Sequence, residues 1–283
     1  MSSKILVIGA INLDISVKPT KPYIMHDSNI VDISYDIGGV GANIATNLAK
    51  YGHSVQMLTV LGTGPLYEYV HDEMERRDVG LKPSVIKKDA AMNFYVSILD
   101  ENHDLYLGMN DMKTVDLMSI DVVAAKEEFI RKAGVIVLDC NLPVDTMQYV
   151  AALTEDSILV VDAVSAIKAK RVLPILPSVN ILKMNRLEYE TLVSLGFNPI
   201  QYPNLTAIVT NHEKPVEILN NRSVKTVSPP PMTDIISTSG AGDALLSGVV
   251  HGVVSGQEIE TAVKTGILLA QKVLGKSASS WKE

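Results

Sequence analysis

Cysteine is almost missing from this 283-residue sequence, with Cys140 as the single copy. An intrachain disulfide is excluded, and so is a zinc site built from clustered cysteines; a reducing compartment fits. Basic charge is also scarce, with 25 Lys and Arg against 32 Asp and Glu and a net charge of −7. Chains that live on phosphate backbones carry the opposite excess, so no nucleic-acid partner is expected. No run of 18 apolar residues occurs, which removes a membrane-spanning helix and any membrane partner. The first apolar stretch, Ile5 to Ile11, is broken at once by Asn12 and Asp14 and does not read as a signal peptide. The expected location is the cytoplasm.

What is present is a large reserve of core residues, 47% hydrophobic against 20% charged. Six short β-branched runs carry much of it: Lys4 to Ala10, Ser54 to Gly62, Gly134 to Cys140, Ser157 to Ala163, Asn180 to Asn185 and Leu205 to Thr210. Most are apolar at successive positions, as a strand buried on both faces requires. Helical patterns lie between them, such as GANIATNLAKYG, where Ile44, Leu48 and Tyr51 recur at helical spacing and Gly52 follows as a stop. Strand and helix in alternation predict an α/β fold with a mostly parallel central sheet covered by helices.

Two stretches break this rhythm. Residues 11–37 hold strand-like pieces around the polar loop KPYIMHDSN, and residues 91–110 read as two strands around the turn Asp100-Glu101-Asn102-His103. Their four strands are expected to pair into a small second sheet. Such a sheet would overhang the strand ends of the main sheet, where open α/β folds bind ligands, as a lid. The chain is thus expected to be one α/β unit over 1–283 with a β-sheet lid from 11–37 and 91–110.

Three segments carry candidate chemistry. In STSGAGDALL, Gly240, Ala241 and Gly242 precede an apolar helix beginning near Asp243, so bare N–H groups at a helix start form a site for an anion. Asp243 then reads either as a helix cap or as the acceptor of a proton from an attacking hydroxyl. In DIGGVGANIA, Gly38, Gly39 and Gly41 permit close backbone approach and Asn43 opens a helix. Ile44 stands where a dinucleotide fingerprint has its third glycine, which leaves a phosphate turn or a sugar-contacting turn. In VIGAINLDI, Asn12 and Asp14 are two apart and point the same way in an extended chain, as a pair of vicinal hydroxyls needs; the alternative is ordinary turn polarity.

Together these segments resemble the ribokinase-like (PfkB) family of sugar and nucleoside kinases. GGVGAN matches its N-terminal signature and SGAGD its C-terminal one, in the right order, and the strand-and-lid layout extends the likeness over almost the whole chain. The resemblance implies a ribokinase-like three-layer fold, ATP as phosphate donor and Mg²⁺ as cofactor. It implies Asp243 as catalytic base, and Gly240, Ala241 and Gly242 as the anion hole. Asn12, Asp14, Gly39 and Asn43 would be the sugar contacts. Asn185 and Glu188 match the family's N-x-x-E, associated with magnesium and phosphate through water; the alternative for that pair is a helix cap with a surface charge. Thr210 opens the family's T-x-G nucleotide turn, here Thr210-Asn211-His212. Ser237 stands where ribokinases often carry Asp, a departure that bears on activation by a monovalent cation such as K⁺.

Within the family, HDSN, GMNDM, DCNLP and VDAVSAIKAKRVLP are similar to the kinases that act on pseudouridine. That likeness implies a nucleoside substrate phosphorylated on its 5′-hydroxyl, with Ser28, Asn93 and Asn110 toward the base; each of the three fits turn chemistry as well. The alternatives are a kinase of ribose, adenosine or inosine, and a ligand sensor on the same fold that transfers nothing. A homodimer through the lids is expected from an apolar lid face carrying Phe94, Val96 and Ile98. The LGKS at 274–277 lacks the first glycine of a P-loop, and the six histidines show no ligand spacing and read as single surface or loop residues.

Overall fold

All six apolar runs become neighbouring strands of one sheet. The computed structural model describes residues 4–275 and 280, apart from 65, 103, 222 and 237. Its strands begin with β1 (Lys4–Ile8), β2 (Asn12–Pro19), β3 (Val31–Gly38), β4 (Ser54–Leu58) and β5 (Val60–Gly62). They continue with β6 (Val79–Gly80), β7 (Val85–Lys87), β8 (Phe94–Leu99), β9 (Leu105–Asp111) and β10 (Val135–Asp139). The last are β11 (Ile158–Asp162), β12 (Ile181–Asn185), β13 (Thr206–Thr210), β14 (Val216–Leu219) and β15 (Val224–Val227). The main sheet runs in the order β15-β14-β13-β12-β11-β10-β1-β4-β6 and is parallel from β13 to β6.

Period-two alternation sorts the core onto the two faces of this sheet. Ile5 and Val7 pack with the helices Val40–Lys50, Ala241–Val254 and Ile259–Leu274, whereas Leu6 and Ile8 pack on the opposite side with the helices between Ile120 and Ser194. The result is three layers, helix on sheet on helix. The helix Val40–Lys50 packs against both the sheet and the helix Ala241–Val254, and Gly41 through Ala49 are all buried rather than one stripe of them. Gly52 follows with φ +81°, in the left-handed region that ends helices.

The four strands expected of the lid also pair, in the order β3-β2-β8-β9. Their register sorts side chains into rows. Tyr35, Ile15, Val96 and Met109 form one row, and Ile33, Val17, Ile98 and Leu107 a second on the same face. The row Asp36, Asp14, Tyr95 and Asn110 belongs to the other face. At the β8–β9 turn, Asp100 Oδ1 accepts the N–H groups of Asn102 and Asp104; His103 of that turn lies outside the described residues.

Two details differ from the sequence reading. The run from Ser54 to Gly62 is broken at Thr59, and Val60–Gly62 leaves the main sheet to pair with Val85–Lys87. The antiparallel edge hairpin of β14 and β15 is additional, two strands of four residues each, too short to show a clear period. No helix among the described residues is long and apolar enough to cross a membrane. Lys276 and Ser277 of LGKS lie outside the described residues.

Candidate active site

The parallel strands deliver polar residues to one edge of the sheet. Asp139 ends β10, Asp162 ends β11, and the two are in register with each other and with Lys183 of β12. Residues at the carboxyl ends of adjacent parallel strands are where open α/β sheets build ligand sites. Asp139 accepts the N–H groups of Ala10 and Asn141, each at 2.9 Å. The approach to β1 is close enough that a Cβ on Gly9 would fall 2.2 Å from Asp139 Oδ2. Asp162 accepts the Val164 N–H through Oδ1 and faces Lys183 Nζ with Oδ2 at 3.1 Å.

The segment Gly240–Asp243 crosses this edge. Gly240, at φ +75°, is the N-cap of the helix Ala241–Val254 and has no side chain of its own to cap it. The first intrahelical bond runs from Ala244 N–H to Gly240 O at 2.8 Å, so the N–H groups of Ala241, Gly242 and Asp243 precede the helical ladder. Asp243 is in the first turn, where the helix dipole favours a negative charge, yet it is buried. Burial, and after it the Asp162 carboxylate, push its pKa up to about 7, against the pull of Lys183 and of a hydrogen bond from Asn43. A carboxylate poised near neutral pH can take up a proton and give it back.

That hydrogen bond joins the two signatures. Asn43 Nδ2 donates to Asp243 Oδ2 at 2.8 Å across 200 positions of sequence. Asn43 lies on the helix whose N-cap is Gly39, and Gly39 carries the connection onward. With φ +96° it adopts a conformation that suits glycine, and a Cβ there would stand 2.5 Å from Asn12 Oδ1. The Asn12 amide donates in turn to Asp14 Oδ1. Burial first, then the Asp36 carboxylate in the same sheet row, raise the Asp14 pKa to about 7. Asn12, Asp14, Gly39, Asn43 and Asp243 are therefore one connected cluster. Just past the helix that bears Asn43, His53 Nε2 lies 2.9 Å from Nδ1 of His251, which is on the helix that bears Asp243 and stacks on Tyr51. This corrects the expectation of single surface or loop histidines: the fold brings together two rings 198 positions apart.

The other sequence candidates are placed more variously. Asn110 shares the row of Asp14, with Tyr95 between them. Asn93 is buried, and its amide joins two stretches of backbone: Nδ2 donates to Ile11 O, and Oδ1 accepts the Thr114 N–H. Asn93 thus fastens the start of β8 to the start of β2. Ser28 is exposed in the loop between β2 and β3, and among the described residues no hydrogen bond joins it to the cluster. Asn185 and Glu188 form a capping box at the helix Arg186–Ser194. Glu188 Oε2 accepts the Asn185 N–H, Oε1 accepts the Asn185 amide, and Asn185 Oδ1 accepts the Glu188 N–H. Thr210 ends β13 beside Asn185, and His212, two residues on, has φ +49°. The backbone keeps a glycine-like turn without the glycine, at about 1–2 kcal/mol for a residue with a Cβ. Ser237 lies outside the described residues.

Sequence reading gave Lys183, Asp162 and Asp139 no individual role, although Asp139 and Asp162 stand in the segments DCNLP and VDAVSAIKAKRVLP. The available signal was the lysine inside the buried strand ILKMN.

Residues 2–281 match the pfkB family carbohydrate kinases, and the chain belongs to that family; it is a phosphotransferase with an alcohol acceptor. It is 27% identical over 271 residues to a pseudouridine kinase of Escherichia coli strain K12, covering 92% of this chain and 87% of that protein. It is 22% identical over 291 residues to a guanosine-inosine kinase of Exiguobacterium acetylicum, covering 97% and 95%. The solved ribokinase of Thermotoga maritima superposes with a TM-score of 0.83 at 17% identity, covering 98% of this chain and 94% of that one. That last likeness is one of fold.

Proposed function

We propose that this kinase transfers the γ-phosphoryl group of ATP to the 5′-hydroxyl of pseudouridine, giving pseudouridine 5′-phosphate, with the small sheet as its lid. The observation that carries the reading is the 2.8 Å bond from Asn43 to Asp243. It holds the proton acceptor beside the elements that would present a ribose, so the reacting hydroxyl and its base arrive together. Asn12 and Asp14 offer a donor and an acceptor for vicinal hydroxyls. Asp243 takes the hydroxyl proton as the oxygen attacks, and the N–H groups at Gly240, Ala241 and Gly242 receive the charged oxygens of the group in transit. Lid closure would keep water from competing as acceptor. The cytoplasm, with its ATP, is the expected setting.

Magnesium fits this site through water. Both Glu188 oxygens already accept hydrogen bonds within the capping box, and each carboxylate oxygen keeps one further lone pair for a metal-bound water. When bound with ATP, the ion would screen charge on the phosphates.

The substrate is tested by assaying pseudouridine, uridine, inosine, guanosine, adenosine and ribose with ATP and Mg²⁺, and identifying products by mass spectrometry. Pseudouridine should give the highest kcat/KM. Turnover of ribose with indifference to pseudouridine would remove the specific claim. The purine nucleosides are the second reading, favoured by the likeness to the guanosine-inosine kinase.

The reading includes a homodimer through the lids. The apolar rows hold Ile33, Tyr35, Leu107 and Met109, all exposed in the single chain. A face of this kind calls for a cover. Light scattering at micromolar concentration should give twice the 30.7 kDa of one chain. A mass of one chain would contradict it.

A further inference from the structure

We propose that Lys183 supplies the full positive charge of the anion hole, its ammonium contacting the oxygens of the phosphoryl group in transit, and that Asp162 holds it ready. The inference rests on the kinase reading above. Three observations carry it. First, Lys183 is buried within β12, in register with Asp162 at the end of β11, with Nζ 3.1 Å from Asp162 Oδ2. An ammonium carries three protons, so this one partner leaves donors open in other directions.

Second, the ammonium lies against the anion hole itself. A Cβ on Gly242 would stand 2.5 Å from Lys183 Nζ, so the missing side chain is what lets the cation approach the helix start. Third, beside any metal ion that comes with ATP, the chain's own groups at the hole are otherwise short of charge. A helix N-terminus offers roughly half an elementary charge. A phosphoryl group between donor and acceptor spreads a larger negative charge over three equatorial oxygens. Burial works against the Lys183 ammonium, but Asp162, Asp243 and Glu188 outweigh it and keep the charged form.

In the step itself, the bond from phosphorus to the ADP bridging oxygen breaks with its electron pair staying on ADP. A bond from the acceptor oxygen to phosphorus forms, and the hydroxyl proton goes to Asp243. Lys183 stays protonated throughout and acts by charge alone. A purely structural role, as counter-ion of the acidic strand ends, is the competing account, and the two differ in what a double variant does.

The test measures binding of ADP, and of ADP with aluminium fluoride as a mimic of the group in transit, both with Mg²⁺, by calorimetry. Melting temperatures are recorded alongside. The wild type should prefer the mimic over ADP by about 100-fold or more. Lys183→Met should lose at least about tenfold of that preference while binding ADP as before. Lys183→Met leaves Asp162 buried without its counter-ion and should melt lower; adding Asp162→Asn should restore the melting temperature but not the preference. An undiminished preference in Lys183→Met, or its recovery in the double variant, would overturn the proposal. A wild type that binds ADP and the mimic equally would instead sink the phosphotransferase reading and, with it, this inference.

Discussion

Asp243→Asn should lower phosphoryl transfer by about 10³-fold, within the roughly 10²- to 10⁴-fold contributed by a positioned general base. Binding of ATP and of the acceptor should stay near wild type. The substitution is nearly isosteric, and the amide can still accept the 2.8 Å bond from Asn43 through its oxygen. What disappears is the capacity to take a proton. Steady-state kcat together with calorimetric affinities checks this; a variant that keeps its kcat removes Asp243 from the chemistry. The same variant should be no less stable at pH 8, for a reason of linkage. Folding raises the Asp243 pKa from 3.8 to about 7 through burial first and then Asp162. The unfolded chain therefore gives up that proton at lower pH, and stability falls as pH rises from near 4 to near 7. Above that window the wild type carries a buried carboxylate at a standing disadvantage, which Asn does not share. Loss of turnover with an equal or higher melting temperature at pH 8 would separate a catalytic role from a structural one.

The pH profile carries the second large effect. With its base near pKa 7, kcat should fall toward tenfold per unit below that value, about 50-fold between pH 7 and pH 5. Asp14 is raised to a similar value by burial and by Asp36, but it belongs to the acceptor platform. Its protonation should appear in the acceptor KM rather than in kcat. In Asp14→Asn the low-pH limb of kcat should persist while the pH dependence of the acceptor KM flattens. A kcat independent of pH from 5 to 8 would contradict the assignment of Asp243. Tying the kcat limb to Asp14 instead would exchange the two roles.

The six main strands were legible because burial on both faces leaves a continuous apolar run, the strongest trace a strand can leave. The small sheet was legible for the opposite reason. Residues 11–37 and 91–110 could not be read as helices, and each holds two extended pieces, now seen paired. The edge hairpin of β14 and β15 left too little pattern, because four residues with one half-buried Glu217 show no clear period. Glycine-rich signatures were readable from composition, since close approach at Gly39 and a left-handed Gly240 admit few other residues. The row Asp139, Asp162 and Lys183 was not. Those residues are more than twenty positions apart, each beside an apolar run, and only strand register makes them neighbours. Asn93, read as facing either a ligand or a turn, donates one N–H to Ile11 O and accepts the Thr114 N–H, which leaves its second N–H and second lone pair.

The helix that bears Asp243 owes its seat to missing methyl groups. A Cβ on Gly248 would lie 2.5 Å from Gly266 Cα, and one on Gly266 would lie 2.4 Å from Leu245 O, so Ala241–Val254 and Ile259–Leu274 touch backbone to backbone. Engineers seeking thermal robustness commonly exchange helical glycines for alanine, expecting a modest gain from chain entropy. At these two positions that habit would wedge the pair apart and tilt Asp243 away from Asn43. Consensus redesign of this chain should leave both glycines untouched and look for its gains on the solvent side of the same helices.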